Sequence, residues 1–167
     1  DVQKFLESGA DKISLNTSAY KNPKLIEDIA KIFGSQCVVA SIDVKKQGNQ
    51  QWNCYSLSGT FDEQKDAIQW AKEVESRGAG ELLITSIDRD GTMTGYDLEL
   101  LRSIVDAVNI PVIGSGGAGN YQDMVDAALC GVSAVASASM YHFTEQTPAG
   151  AKSAMAEAGI AIRENFV

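Results

Sequence analysis

The sequence predicts an α/β domain of parallel strands and covering helices, arranged like the closing end of a barrel in which the two alternate. Three observations carry this expectation. Short apolar runs rich in β-branched residues recur at 12–15, 37–42, 81–87, 111–114 and 132–136. Segments with apolar residues at helical spacing lie between them, at 23–33, 63–77, 98–108 and 121–130. Near-continuous apolar strands alternating with helices describe a parallel sheet covered on both faces. The third observation is the run PVIGSGGAG at 111–119, which breaks into a glycine loop ahead of the helical segment, while a second apolar run at 134–139 ends in small residues. Bare backbone N–H groups in such a loop reach phosphate oxygens, and a helix N-terminus adds its positive end. The loops after the last two strands of such a barrel commonly share one phosphate.

Residues 1–10 read as a helix running into the first strand. Pro23 suits a first helical turn, and Gly34, Gly78 and Gly131 sit where helices stop. The segment from 44 to 60 is longer than the other connections. Trp52, Tyr55 and Leu57 are interleaved there with polar residues, which fits either a small hairpin over the barrel mouth or a flexible insertion. An open five-stranded doubly wound sheet fits the length alone, because a closed barrel of eight strands typically needs about 250 residues.

The 167 residues, 44% of them hydrophobic, suit one domain spanning 1–167. A net charge of −8 and a pI near 4.6 argue against a general nucleic-acid or membrane-surface binder. Cys37, Cys54 and Cys130 form no C-x-x-C pair, and the apolar contexts of Cys37 and Cys130 suggest packed, reduced thiols. With no leader or long apolar span visible, the expected compartment is the cytoplasm.

The chemistry-bearing residues fall at strand C-terminal ends. In order they are DKISLNT at 11–17, SIDVK at 41–45, TSIDRDGT at 85–92, SGGAG at 115–119 and ASMYHF at 138–143. Together this ordered set closely resembles the cyclase subunit family of imidazole glycerol phosphate synthase, from histidine biosynthesis. The resemblance covers the later part of the family's barrel, from just before its fourth strand to the end. It implies a (β/α)8 TIM-barrel fold, here a partial barrel of about five βα units lacking the first three strands. It also implies a lyase reaction. Ammonia from a glutaminase partner passes through the barrel and converts a formimino-aminoimidazole carboxamide ribotide bearing two phosphates into imidazole glycerol phosphate and aminoimidazole carboxamide ribotide. No metal or redox cofactor is expected.

Asp43 is the leading catalytic candidate. An acid at the C-terminal end of a strand points into the catalytic mouth, and the resemblance makes it one of two aspartates exchanging protons during cyclisation. The other belongs to the first strand. Asp90 and Gly91, in an Asp-Gly-Thr turn, are expected beside one substrate phosphate. Ser115, Gly116, Gly117, Ala138 and Ser139 make up that phosphate site. The resemblance places the second phosphate at Asn16 and Thr17, with a glycine pair of the third strand, and Thr85 and Ser58 are lesser candidates for polar contacts. Lys12 and Glu81 start their strands, on the opposite face, and match members of a charged ring that gates ammonia. Asp11 and Gln36 are candidates to meet the glutaminase there. His142, the only histidine, has no ligand spacing around it and reads as structural. Asp88 reads as a structural partner of Arg89 or of a neighbouring loop.

Two other readings compete. One is a cyclase-like enzyme that uses ammonia to aminate a sugar in surface-polysaccharide pathways; the other is a catalytically incomplete, phosphate-binding partial barrel. The expected partners are a phosphorylated small molecule, the glutaminase and, because open sheet edges invite pairing, further copies of the chain.

Overall fold

The computed structural model describes residues 1–163. Helix α1 (Val2–Glu7) leads into β1 (Ile13–Leu15), followed by α2 (Thr17–Lys21), α3 (Lys24–Phe33) and β2 (Val38–Gly48). Strands β3 (Gln51–Ser56) and β4 (Phe61–Asp66) precede α4 (Ala67–Ser76). The rest of the chain runs β5 (Glu81–Ser86), α5 (Leu98–Val105), β6 (Val112–Ser115), α6 (Tyr121–Leu129), β7 (Ala134–Ala136), α7 (Ser139–Phe143) and α8 (Pro148–Glu157).

The strands form one sheet in the order β4-β3-β2-β5-β6-β7, with β1 also pairing β2. The parallel part, as the sequence predicts, comprises β1, β2, β5, β6 and β7, in registers such as Ile13↔Val38, Val39↔Glu81, Leu82↔Val112 and Ile113↔Ala134. All five therefore end at one rim. Among the described residues β1 pairs only with β2, and β7 only with β6, so each leaves one edge open.

Helix ends follow local chemistry. Asp66 accepts from the Gln69 amide at 2.9 Å to start α4, Asp97 accepts from the Leu100 amide at 3.0 Å to start α5, and Thr147 with Pro148 opens α8. Gly34 ends α3 with φ +92°, a conformation glycine adopts without cost. The core lies between sheet and helices, where Ile42, Leu82, Ile84, Trp70 and Ile104 are almost wholly buried. Each such side chain contributes about 1.5–3 kcal/mol.

Several expectations are corrected. The segment 63–77 is not helical throughout: 61–66 pairs with β3 as a strand, and helix begins only at Ala67. Strand β2 does not end at Ile42 but continues to Gly48, because its second half pairs antiparallel with β3 (Asp43↔Tyr55, Val44↔Cys54). The long insertion is thus an ordered β ribbon. Its inward residues are Trp52, Cys54 and Ser56, whereas Tyr55 is half-buried and Leu57 exposed, so the inward set keeps strict period two from Trp52. Cys54 and Cys130 are buried, Cys37 is half-buried, and all are free thiols. Burial pushes the Cys54 thiol up to about 12.

Candidate functional site at the C-terminal rim

The loops following the parallel strands meet at the rim and enclose two neighbouring cavities. The first, of about 180 Å³, is lined by Asp90, Gly91, Ser115, Gly116, Gly117 and Ala118, and by the run 136–139. The second, of about 410 Å³, is lined by Asp43, Ser58, Gly59, Thr85, Ile87 and Asp90. Asp90 is the shared wall. The structure therefore brings together all the residues expected at the glycine-loop phosphate site, and sets Asp43, Ser58 and Thr85 next to them.

Asp43 lies where β2 passes from its parallel partners to the ribbon, opposite Thr85 on one side and Tyr55 on the other. Its Oδ2 accepts a hydrogen bond from Asn16 Nδ2 at 2.9 Å. Burial holds the Asp43 carboxyl above the usual range, the Asn16 bond opposes this, and the negative charge of Asp90 adds to it. A carboxyl shifted upward exchanges protons more readily near neutrality, as general acid–base work requires.

Asn16 and Thr17 are not among the residues lining either cavity. Asn16 holds Asp43, and Thr17 Oγ1 accepts from the Leu57 amide at 3.1 Å, pinning the ribbon tip. That tip is strained: Leu57, Ser58 and Gly59 have φ of 51°, 59° and 77° in succession. Non-glycine residues in this region cost about 1–2 kcal/mol each.

The glycine loop is shaped by packing as much as by any ligand. A Cβ on Gly116 would lie 2.8 Å from the Ser86 carbonyl oxygen, and one on Gly117 would lie 2.2 Å from that of Gly95. The loop after β5 rests directly on it, joined by a bond from the Gly95 amide to the Gly117 carbonyl at 2.8 Å. Thr92, in the Asp-Gly-Thr turn, donates to the Arg89 carbonyl at 2.7 Å, so its hydroxyl serves the turn. Asp88 accepts from the Lys46 amide at 2.8 Å, a structural role of the kind expected.

The helix after the glycine loop is capped by its own side chains, and the cavity lining on that loop stops at Ala118. Asn120 and Asp123 form a capping box, in which Asp123 Oδ2 accepts from the amides of Gly119 and Asn120 at 2.8 and 3.1 Å. The cavity is lined from 115–118 and 136–139, with Asp90 and Gly91. Ala118, Ala136 and Ser137, together with Gly59 and Ile87, complete the linings beyond the residues the sequence singles out. The only sign of the first three was the small-residue runs.

At the other end of the strands, Lys12 Nζ and Glu81 Oε1 form an ion pair. Asp11 and Gln36 are exposed on the same face, and Gln36 donates to the Phe33 carbonyl at 3.3 Å. His142 is exposed, edge-on to Phe143. Among the described residues no group of three or more His, Cys, Asp or Glu is placed to hold a metal ion, and no helix is long and apolar enough to cross a membrane.

This geometry can be set against known proteins. The profile of the family described as "Histidine biosynthesis protein" matches residues 1–147. The chain belongs to the histidine biosynthesis protein family. Among its curated relatives, "Imidazole glycerol phosphate synthase subunit HisF" of Dictyoglomus thermophilum is 48% identical over 163 residues, covering 98% of this chain and 65% of the relative. The subunit of the same name from Caulobacter vibrioides is 48% identical over 165 residues, covering 98% of this chain and 64% of the relative. The chain thus spans just under two thirds of the length of these members of the histidine biosynthesis protein family.

Proposed function

We propose that this chain carries the cyclase active site of an imidazole glycerol phosphate synthase. In this reading, ammonia from a glutaminase partner reacts with the formimino-aminoimidazole carboxamide ribotide to give imidazole glycerol phosphate and aminoimidazole carboxamide ribotide, a lyase reaction of histidine biosynthesis. The observation that carries it is the shared wall at Asp90. A cavity lined by the glycine loop and by Ser115, Ser137 and Ser139 opens beside one holding a carboxyl that burial raises above its ordinary range. The first suits a phosphate group. The second suits proton transfer to and from ring-forming nitrogens.

Each residue then has a role. Ser115, Gly116, Gly117, Ala138 and Ser139 hold one phosphate, with Gly91 beside it. Asp43 moves the proton, Asn16 orients it, and Asp90 polarises it while contacting substrate hydroxyls. Thr85 and Ser58 line the reacting end, and Thr17 anchors the ribbon above it. Lys12 and Glu81 guard ammonia entry at the far face, where Asp11 and Gln36 meet the glutaminase. The setting is the cytoplasm.

The test is turnover of the ribotide with an ammonium salt, measured on the polypeptide extended to the length of its relatives and on its Asp43→Asn variant. The expected result is release of aminoimidazole carboxamide ribotide that falls about 10²–10⁴-fold in the variant. An extended protein that binds phosphate but never turns over the ribotide would refute the reading and favour a phosphate-binding barrel or a sugar-aminating relative.

A further inference from the structure

Tyr96 belongs to none of the residues assigned above, yet it is 5% exposed and its hydroxyl donates to the Ala136 carbonyl at 2.9 Å. It starts from the loop after β5, passes the β6 loop and ends on the last residue of β7. The neighbouring Gly95 amide holds the Gly117 carbonyl at 2.8 Å. Two consecutive residues of the loop after β5 thus staple the other two loops that line the first cavity. We infer that Tyr96 is a positioning residue for this cavity, its hydroxyl fixing the 136–137 peptide and thereby the loop of Ser137, Ala138 and Ser139 that faces a bound anion.

The argument is one of peptide geometry. In a trans peptide the C=O and the following N–H point in opposite directions, and the described chain has no cis bond. A carbonyl of Ala136 held by Tyr96 therefore sets the direction of the Ser137 N–H, at the entry to the residues that line the cavity. β7 is only three residues long and, among the described residues, pairs on one side alone, so its own ladder restrains this turn weakly. Burial pushes the Tyr96 phenol well above its ordinary range, so it stays a donor across the physiological pH range.

The inference rests on the anion reading of the cavity, and the experiment separates the two. Inorganic phosphate is titrated into the wild-type chain and into Tyr96→Phe by calorimetry, with thermal unfolding measured alongside. Tyr121→Phe is the control, since it removes a hydroxyl that accepts from the Thr147 amide at 2.8 Å away from the cavity. Tyr96→Phe is expected to weaken phosphate about 3- to 10-fold, the effect of one lost hydrogen bond. Tyr121→Phe is expected to lower Tm without changing the affinity, and 4-aminophenylalanine at position 96, which restores a donor, to recover it. Equal phosphate affinity in wild type and Tyr96→Phe overturns the inference, as does weakening that merely follows Tm in both variants. A wild-type chain that binds no phosphate overturns the anion reading itself, and this inference with it.

Discussion

A carboxyl raised above its ordinary range leaves a mark on stability as well as on chemistry. Asp43 has a folded-state pKa above its ordinary 3.8, through burial and the nearby Asp90 charge. Its favourable contribution is therefore complete below the ordinary value and is lost as pH rises through the folded one. Asp43→Asn, which cannot ionise, is accordingly expected to unfold at a higher temperature than wild type at pH 7.5, with the difference closing below about pH 4. Melting curves across that range check it, and a gap that widens toward acid would contradict the assignment. Glycines at the same rim divide by environment. Gly91 has φ +77° with nothing near a prospective Cβ, so Gly91→Ala meets only the backbone cost of about 1–2 kcal/mol. Gly117→Ala adds a Cβ 2.2 Å from the Gly95 carbonyl oxygen and must force the two loops apart. Denaturant unfolding is expected to show the larger loss for Gly117→Ala, by about 2 kcal/mol or more.

Among the elements, the β ribbon is where local sequence and structure part company. The five parallel strands were legible because strands covered on both faces must be apolar throughout. β4, FDEQKD, has no such signature, and its strand character comes from pairing with β3 across a partly wet face. Its polar residues instead resemble the start of the helix that follows, whose cap is Asp66. The rim residues were readable for a related reason: position at a strand's end and side-chain type both mark them. Ser137 and Ala118 were not, since a cavity lined by backbone demands no particular side chain. Nor was the Asn16–Asp43 bond, which joins the residue after β1 to the middle of β2, 27 residues on, and depends on register alone. The ribbon's strain makes its own forecast. Gln64 is exposed within β4 at φ 52°, so Gln64→Gly is expected to stabilise the fold by about 1 kcal/mol in denaturant melts. Thr17→Ala removes the acceptor of the Leu57 amide. It should cost about 0.5–1.5 kcal/mol and speed exchange of that amide, while the amides of β5 keep their protection.

Among the described residues the sheet is paired through its middle, and β1 and β7 each have one unpaired side. β1 and β7 each offer one row of backbone groups to solvent among the described residues. Both are short, and Ala134, the first residue of β7, is exposed. Large apolar side chains stand out near each edge: Phe5 on α1, ahead of β1, is 60% exposed, and Phe143 at the end of α7, after β7, is 76% exposed. Unpaired strands flanked by exposed apolar groups recruit other strands, and short or charged edges are how folds resist this. The net charge of −8 keeps copies apart at low ionic strength, and salt screens that repulsion. The 167-residue chain is therefore expected to self-associate at micromolar concentration, more so in 0.5 M than in 0.05 M salt. Ala134→Lys, which sets a charge on the β7 edge, is expected to shift the population toward monomer without changing the far-ultraviolet circular dichroism. Multi-angle light scattering at both salt concentrations decides it: a monodisperse monomer throughout would mean that these edges are already protected by their shortness.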